Sequence, residues 1–185
     1  MAPYPIRLFG DPVLRQRAAE VTDIDGRIAR LAQDMIETMH EAPGVGLAAN
    51  QVGVLKRVFV YDLNDGSGPR AVVNPVIGDA RDEWIFEEGC LSIPGITAEV
   101  VRPKEVHFTA VDLDGNEVSF EADELLARVL QHELDHLDGV LFIDRLEPDE
   151  RKRALRTIRE LQMAGDASRS PEVTDPSRGL RLPGR

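Results

Sequence analysis

Five consecutive residues, His132-Glu133-Leu134-Asp135-His136, carry the strongest chemical signal in the sequence. On a helix, residues four apart share a face, so both imidazoles reach one metal ion while Glu133 projects beside them. Glu133 is then placed to take a proton from an activated water. The chain has only 4 histidines in 185 residues, so a His-rich composition does not explain the pair. Two imidazoles and a carboxylate on an apolar helix are also costly to bury without a metal or partners.

Two imidazoles need a third donor. Many zinc proteases extend the motif to HExxHxxGxxH; here Gly139 is in place, but Phe142 occupies the last position and cannot ligate. Glu160, on a later helix, and Cys90, the sole cysteine, are the remaining candidates. An isolated cysteine is more often a small buried hydrophobe, but two histidines lacking a partner favour Cys90. It lies in Glu88-Gly89-Cys90-Leu91-Ser92, where the glycine lets backbone approach a ligand closely. One Cys and two His leave a coordination position open for water, the mark of a catalytic rather than a structural metal. His40 and His107 are conceivable fourth ligands whose positions better suit ordinary surface or core roles. A further segment, Gly44-Val45-Gly46-Leu47-Ala48-Ala49-Asn50-Gln51, exposes bare backbone to close approach. Gln51 at its end offers an amide to a developing oxyanion.

The elements that must position these groups follow from periodicity. Ile28, Leu31, Ala32, Met35, Ile36 and Met39 form one face of a helix from Asp25, its cap, to Ala42, before Pro43 and Gly44. Six short β-rich runs follow: 57–63, 71–77, 82–88, 96–101, 105–111 and 117–121. Asp114-Gly115 reads as the turn of a hairpin. Leu125, Leu126, Val129, Leu130, Leu134 and Leu137 then make a stripe too wide for a surface helix, with Gly139 as its stop. A third helix starts at Pro148 and runs to about Met163. This order predicts an α+β fold, antiparallel strands packed around a buried metal-binding helix with an N-terminal and a C-terminal helix. One catalytic domain is expected over 1–164, followed by a disordered tail over 165–185.

Composition sets the outer limits. Apolar residues are 42% and charged residues 30%, the balance of a globular protein, and one cysteine permits no internal disulfide. No apolar run approaches a membrane span and no signal peptide is apparent, so a cytoplasmic protein is expected. Residues 148–185 hold nine Lys/Arg against six Asp/Glu, a net of +3, which leaves −14 of the total −11 on residues 1–147. Bulk charge therefore excludes DNA and anionic membranes as partners of the body.

Taken together, GVGLAANQ (Gly44–Gln51), EGCLS (Glu88–Ser92) and QHELDH (Gln131–His136) resemble the three signatures of the peptide deformylase family. The agreement continues through Leu137, Gly139, Leu141, Phe142 and Asp144, and the resemblance spans roughly residues 5–160. It implies a hydrolase that removes the N-formyl group from the N-terminal formylmethionine of newly made polypeptides and releases formate. It implies Cys90, His132 and His136 as metal ligands, Glu133 as general base and then acid, and Gln51 with the Leu91 N–H as the oxyanion hole. Gly46 would lie against the formyl end, and Val45, Phe86, Leu125, Val129 and His132 would line the methionine pocket. Arg102 would pair with Glu88 behind the site. Asn50 departs from the Pro or Thr often found there. The family implies Fe(II), with nickel and cobalt forms active, whereas donor softness and tetrahedral geometry alone favour zinc. Arg151, Lys152, Arg153, Arg156 and Arg159, on the C-terminal helix over 148–163, would contact ribosomal RNA. Two rival readings are a zinc endopeptidase using Glu160 and a non-catalytic protein with a structural metal.

Overall fold

The computed structural model describes residues 4–169. A 16-residue helix α1 (Gly26–Glu41) begins at Asp25, whose carboxylate accepts from the Arg27 and Ile28 N–H groups as expected of a cap. Five strands follow, β1 (Gly46–Ala48), β2 (Val58–Tyr61), β3 (Arg70–Cys90), β4 (Ile93–Val111) and β5 (Glu117–Asp123), then α2 (Glu124–Leu137) and α3 (Pro148–Arg169). The strands form one antiparallel sheet in sequence order, β1-β2-β3-β4-β5. Short 3₁₀ turns at Pro12–Arg15, Ala49–Val52 and Phe142–Arg145 complete the element list.

The period-2 alternation of the strands divides the core between two helices. Leu47, Val58 and Val60 face Met35 and Met39 of α1, while Ala48, Phe59 and Tyr61 join Phe108 and Val106 against Leu130 and Leu137 of α2. A third cluster of Leu14, Ile93, Ile96, Val100, Phe142 and Ile158 closes the end that carries α3. This is the α+β arrangement expected, with α2 as its buried centre.

Two expectations are corrected. The runs 71–77 and 82–88 are one 21-residue strand, and 96–101 and 105–111 are one 19-residue strand. Register shifts at Val73/Val76, Ile77/Ala80 and Gly89/Cys90 let the long hairpin bend without ending. Asn74, inside the first of these shifts, takes φ +50°, and the gap between the two β3 runs, 78–81, falls at the second. The third helix also passes Gly165 and reaches Arg169, since one glycine costs a helix interior only about 1 kcal/mol. The tail expected over 165–185 falls outside the described residues from 170 onward. Gly115 (φ +86°) makes the turn foreseen at Asp114-Gly115. Gly139 follows α2 at φ +77°, where a β-carbon would strike the Arg15 carbonyl.

Candidate active site

Three pieces of backbone converge on the site. The β3–β4 hairpin has its tip at Leu91-Ser92, so Cys90 ends the longest strand. Helix α2 presents His132 and His136 one turn apart, and the Ala49–Val52 turn delivers Gln51. Cys90 Sγ lies 3.2 Å from His136 Nε2. Donor atoms of Cys90, His132 and His136 all lie within 4.8 Å of one another.

The fit of this set to a metal can be judged from its surroundings. Glu88 Oε2 binds His132 Nδ1 at 3.0 Å, which fixes the ring and leaves its other nitrogen for an ion. Burial opposes a charge on His132, yet hydrogen bonds to Cys90 and Glu88 hold its pKa well above the ordinary histidine value. The pocket thus favours positive charge at the very ring that faces the thiol. Burial, with the charges of His132 and Arg102, holds His136 well below the ordinary value, as a neutral donor. A thiol and two imidazoles within such a span suit a divalent transition metal. His40 instead bonds Asp62 at 2.9 Å, and His107 bonds Glu121 at 2.7 Å. Glu160 is exposed on α3 and does not belong to the cluster.

Behind His132 lies a charged network. Glu88 accepts from Arg102 twice, at 2.6 and 3.0 Å, and from Arg128 at 2.6 Å. Burial alone would raise the Glu88 pKa, but the bonds from His132 and Arg102 hold it far below the usual carboxylate range. Arg102 also reaches Asp135 at 2.8 Å, which Arg145 grips at 2.5 and 3.1 Å. The Glu88–Arg102 pair was expected; Arg128, Asp135 and Arg145 were not. A signal existed for Arg128, a charge one turn before His132 and so on the same face of the helix.

In front of the donors, Glu133 is 4% exposed and its Oε2 has no hydrogen-bond partner among the described residues. Burial raises its pKa to about 7, where a carboxyl both accepts and returns a proton near neutrality. A β-carbon on Gly46 would collide with the Glu133 carboxylate, so glycine is what lets strand β1 lie against it. Gln51 Oε1 accepts the Ala48 N–H at 2.8 Å, while Nε2 lies 3.1 Å from Ser92 Oγ and 3.7 Å from Cys90 Sγ. Its donor end is therefore held toward the thiol. Asn50 donates its side-chain amide to the His136 carbonyl, a role in fixing the end of α2 that the sequence did not disclose. A cavity of about 440 Å³ joins Gln51, Cys90, Leu91, His132 and Glu133 to Val45, Gly46, Phe86, Leu125 and Val129.

An α+β fold with a thiol, two imidazoles and a buried carboxylate around one cavity defines the class of a metal-dependent hydrolase. The family model described as polypeptide deformylase matches residues 3–152. The peptide deformylase of Acidothermus cellulolyticus is 50% identical over 182 residues, 98% of this chain and 100% of its own length. Peptide deformylase 1 of Corynebacterium glutamicum is 54% identical over 162 residues, 86% of this chain and 96% of its own. Among solved structures, a peptide deformylase from Legionella pneumophila aligns at TM-score 0.84 and 40% identity, covering 92% of this chain and 100% of that one. The chain belongs to the polypeptide deformylase family, metal-dependent hydrolases that remove the N-formyl group from newly made polypeptides.

Proposed function

We propose that this chain deformylates N-formylmethionyl peptides with Cys90, His132 and His136 as metal ligands and Glu133 as the proton carrier, in a single catalytic domain over 1–164. A divalent metal held there supplies Lewis-acid activation of water and carbonyl oxygen when bound. Glu133, with its pKa near 7, takes the proton of the attacking water and returns it to the departing amine nitrogen. Gln51 Nε2 and the Leu91 N–H donate to the formyl oxygen as its charge builds. Val45, Phe86, Leu125 and Val129, with His132, receive the methionine side chain. Gly46 leaves room for the formyl hydrogen but not for an acetyl methyl, which spares other amides.

The observation that carries this reading is the buried Glu133 carboxylate packed against Gly46 in the cavity that also holds Cys90 and His132. The test is formate release from formyl-Met-Ala-Ser, with acetyl-Met-Ala-Ser beside it. Turnover of the formyl peptide alone is expected. Equal turnover of both, or none with one metal bound per chain, would overturn the reading.

Fe(II) is the metal proposed for the cell, with zinc, nickel or cobalt able to replace it. A thiolate ligand beside an open site is exposed to oxidation, so the Fe(II) form should lose activity in air faster than the Ni(II) form; equal rates would count against iron. No helix among the described residues is long and apolar enough to cross a membrane, and a cytoplasmic site of action without DNA or membrane partners is proposed. Arg151, Lys152, Arg156 and Arg159 line an open groove on α3 with Leu146 and Leu155, which supports contact with ribosomal RNA. Arg156→Glu with Arg159→Glu should weaken ribosome cosedimentation at low salt; unchanged cosedimentation would exclude this contact.

A further inference from the structure

Arg128 takes no part in the reaction as derived, yet it touches both halves of the site. It sits on α2 one turn before His132 and on the same face. Its side chain is buried, with the residue 3% exposed, and it lines the cavity together with Phe86 and Val129. One guanidinium nitrogen, Nη1, donates to Glu88 Oε1 at 2.6 Å and to the Val100 carbonyl at 3.1 Å. The other, Nη2, donates to the Trp84 carbonyl at 2.5 Å. Its Cζ lies 5.0 Å from the centre of the Trp84 ring and 5.7 Å from that of Phe86, and those rings are 4.7 Å apart. The cation thus lies beside the paired Trp84 and Phe86 rings, within reach of both.

A buried guanidinium is costly unless its charge and its donors are matched. Both terminal nitrogens of Arg128 are matched, in two places at once, while its Nε has no partner among the described residues. On one side are the Trp84 and Val100 carbonyls and the ring of Phe86, which lines the cavity where a substrate's first side chain would rest. On the other is Glu88, whose second oxygen orients His132 at 3.0 Å. The guanidinium is planar and rigid, so a shift of the wall cannot leave Glu88 unmoved.

We infer that Arg128 is a positioning residue that fixes the side-chain cavity and the His132 imidazole as one unit. The inference rests on the deformylase reading for its substrate and on the Cys90, His132, His136 donor set for its metal. Without Arg128, the Trp84–Phe86 pair relaxes and, through Phe86, the first side chain of the substrate is held less well. Glu88 also loses one of its two cations and one of its anchors, so His132 is oriented less firmly. Loss of groups that orient a ligand typically weakens metal binding by about 10- to 100-fold.

The test compares full-length wild type, Arg128→Met and Arg128→Lys, each loaded with Ni(II), with the Co(II) forms used for absorption spectra. Arg128→Met should raise KM for formyl-Met-Ala-Ser about tenfold with a smaller change in kcat, and release metal to a chelator about tenfold faster. Its thiolate-to-cobalt absorption band should shift. Arg128→Lys should restore slow metal release, because one positive charge still meets Glu88. It should not restore KM, because an ammonium cannot fork to Trp84 and Glu88 together. A purely structural role would lower thermal stability and leave KM and metal release of the folded variant unchanged. Wild-type values for either quantity in folded Arg128→Met overturn the proposal, which requires both. If that variant does not fold, a wild-type KM in Arg128→Lys overturns it. Absence of formate release by the wild type would instead contradict the activity, while metal release and the cobalt band still decide the role of Arg128.

Discussion

The molecule carries two clusters built from the same three residue types. In one, His132 Nδ1 meets Glu88 at 3.0 Å and Arg102 meets Glu88 at 2.6 Å. In the other, His107 Nδ1 meets Glu121 at 2.7 Å and Arg81 meets Glu121 at 2.9 Å. Bond lengths do not separate them. Surroundings do: the Glu88 side chain is 4% exposed and that of Glu121 58%. Water screens the outer cluster, and its members give up rotamer freedom to hold one geometry, so each pair contributes little. In the inner cluster every partner left without its counter-charge carries a desolvation penalty. The same chemistry that decorates one face therefore becomes, under α2, a device that orients the His132 imidazole.

The comparison can be broken by substitution, beginning with the largest effect. In metal-free protein, Glu88→Ala leaves the buried Arg102 and Arg128 short of their main anion and should lower unfolding stability by about 3–5 kcal/mol. Urea titration measures this, and a loss no larger than that from Glu121→Gln would refute the distinction drawn here. Asp144 is the intermediate case, with its side chain 24% exposed and bonded to Arg15, Arg151 and the Leu141 N–H. Burial works to raise its pKa, but Arg15 and the other donors prevail and it lies below the ordinary 3.8. A lowered carboxylate pKa adds stability that is present above the ordinary value and lost as pH falls through the folded one. Asp144→Asn should cost about 1–2 kcal/mol near neutrality. The gap to wild type should close below the ordinary value of 3.8; a gap that persists or widens in acid would remove the charge from the explanation. Glu121→Gln should change stability by less than about 0.5 kcal/mol and leave metal release unaltered. A thermal melt with a parallel chelator assay checks both.

Legibility from sequence followed the range of the interactions. The 132–136 motif was readable because helical spacing alone puts both imidazoles on one face. The helix limits at Asp25 and Gly139 were readable because capping and positive φ are local demands. The two long strands were not, because residues 78–81 and 102–104 look like strand ends until the pairing of β3 with β4 is known. The second arginine on Glu88 was also hidden. Nothing near Arg128 in sequence says that Glu88, 40 positions earlier, faces it. Asn50 is similar: its amide meets the His136 carbonyl across 86 positions.

The central claim is that Glu133 carries the proton while Cys90, His132 and His136 hold the metal. The most direct measurement is formate release and bound metal, taken together, for wild type and Glu133→Gln. The account predicts that the variant keeps one metal per chain and loses about 10²–10⁴-fold in kcat. A variant that turns over at the wild-type rate, or one that loses its metal along with its activity, would contradict it.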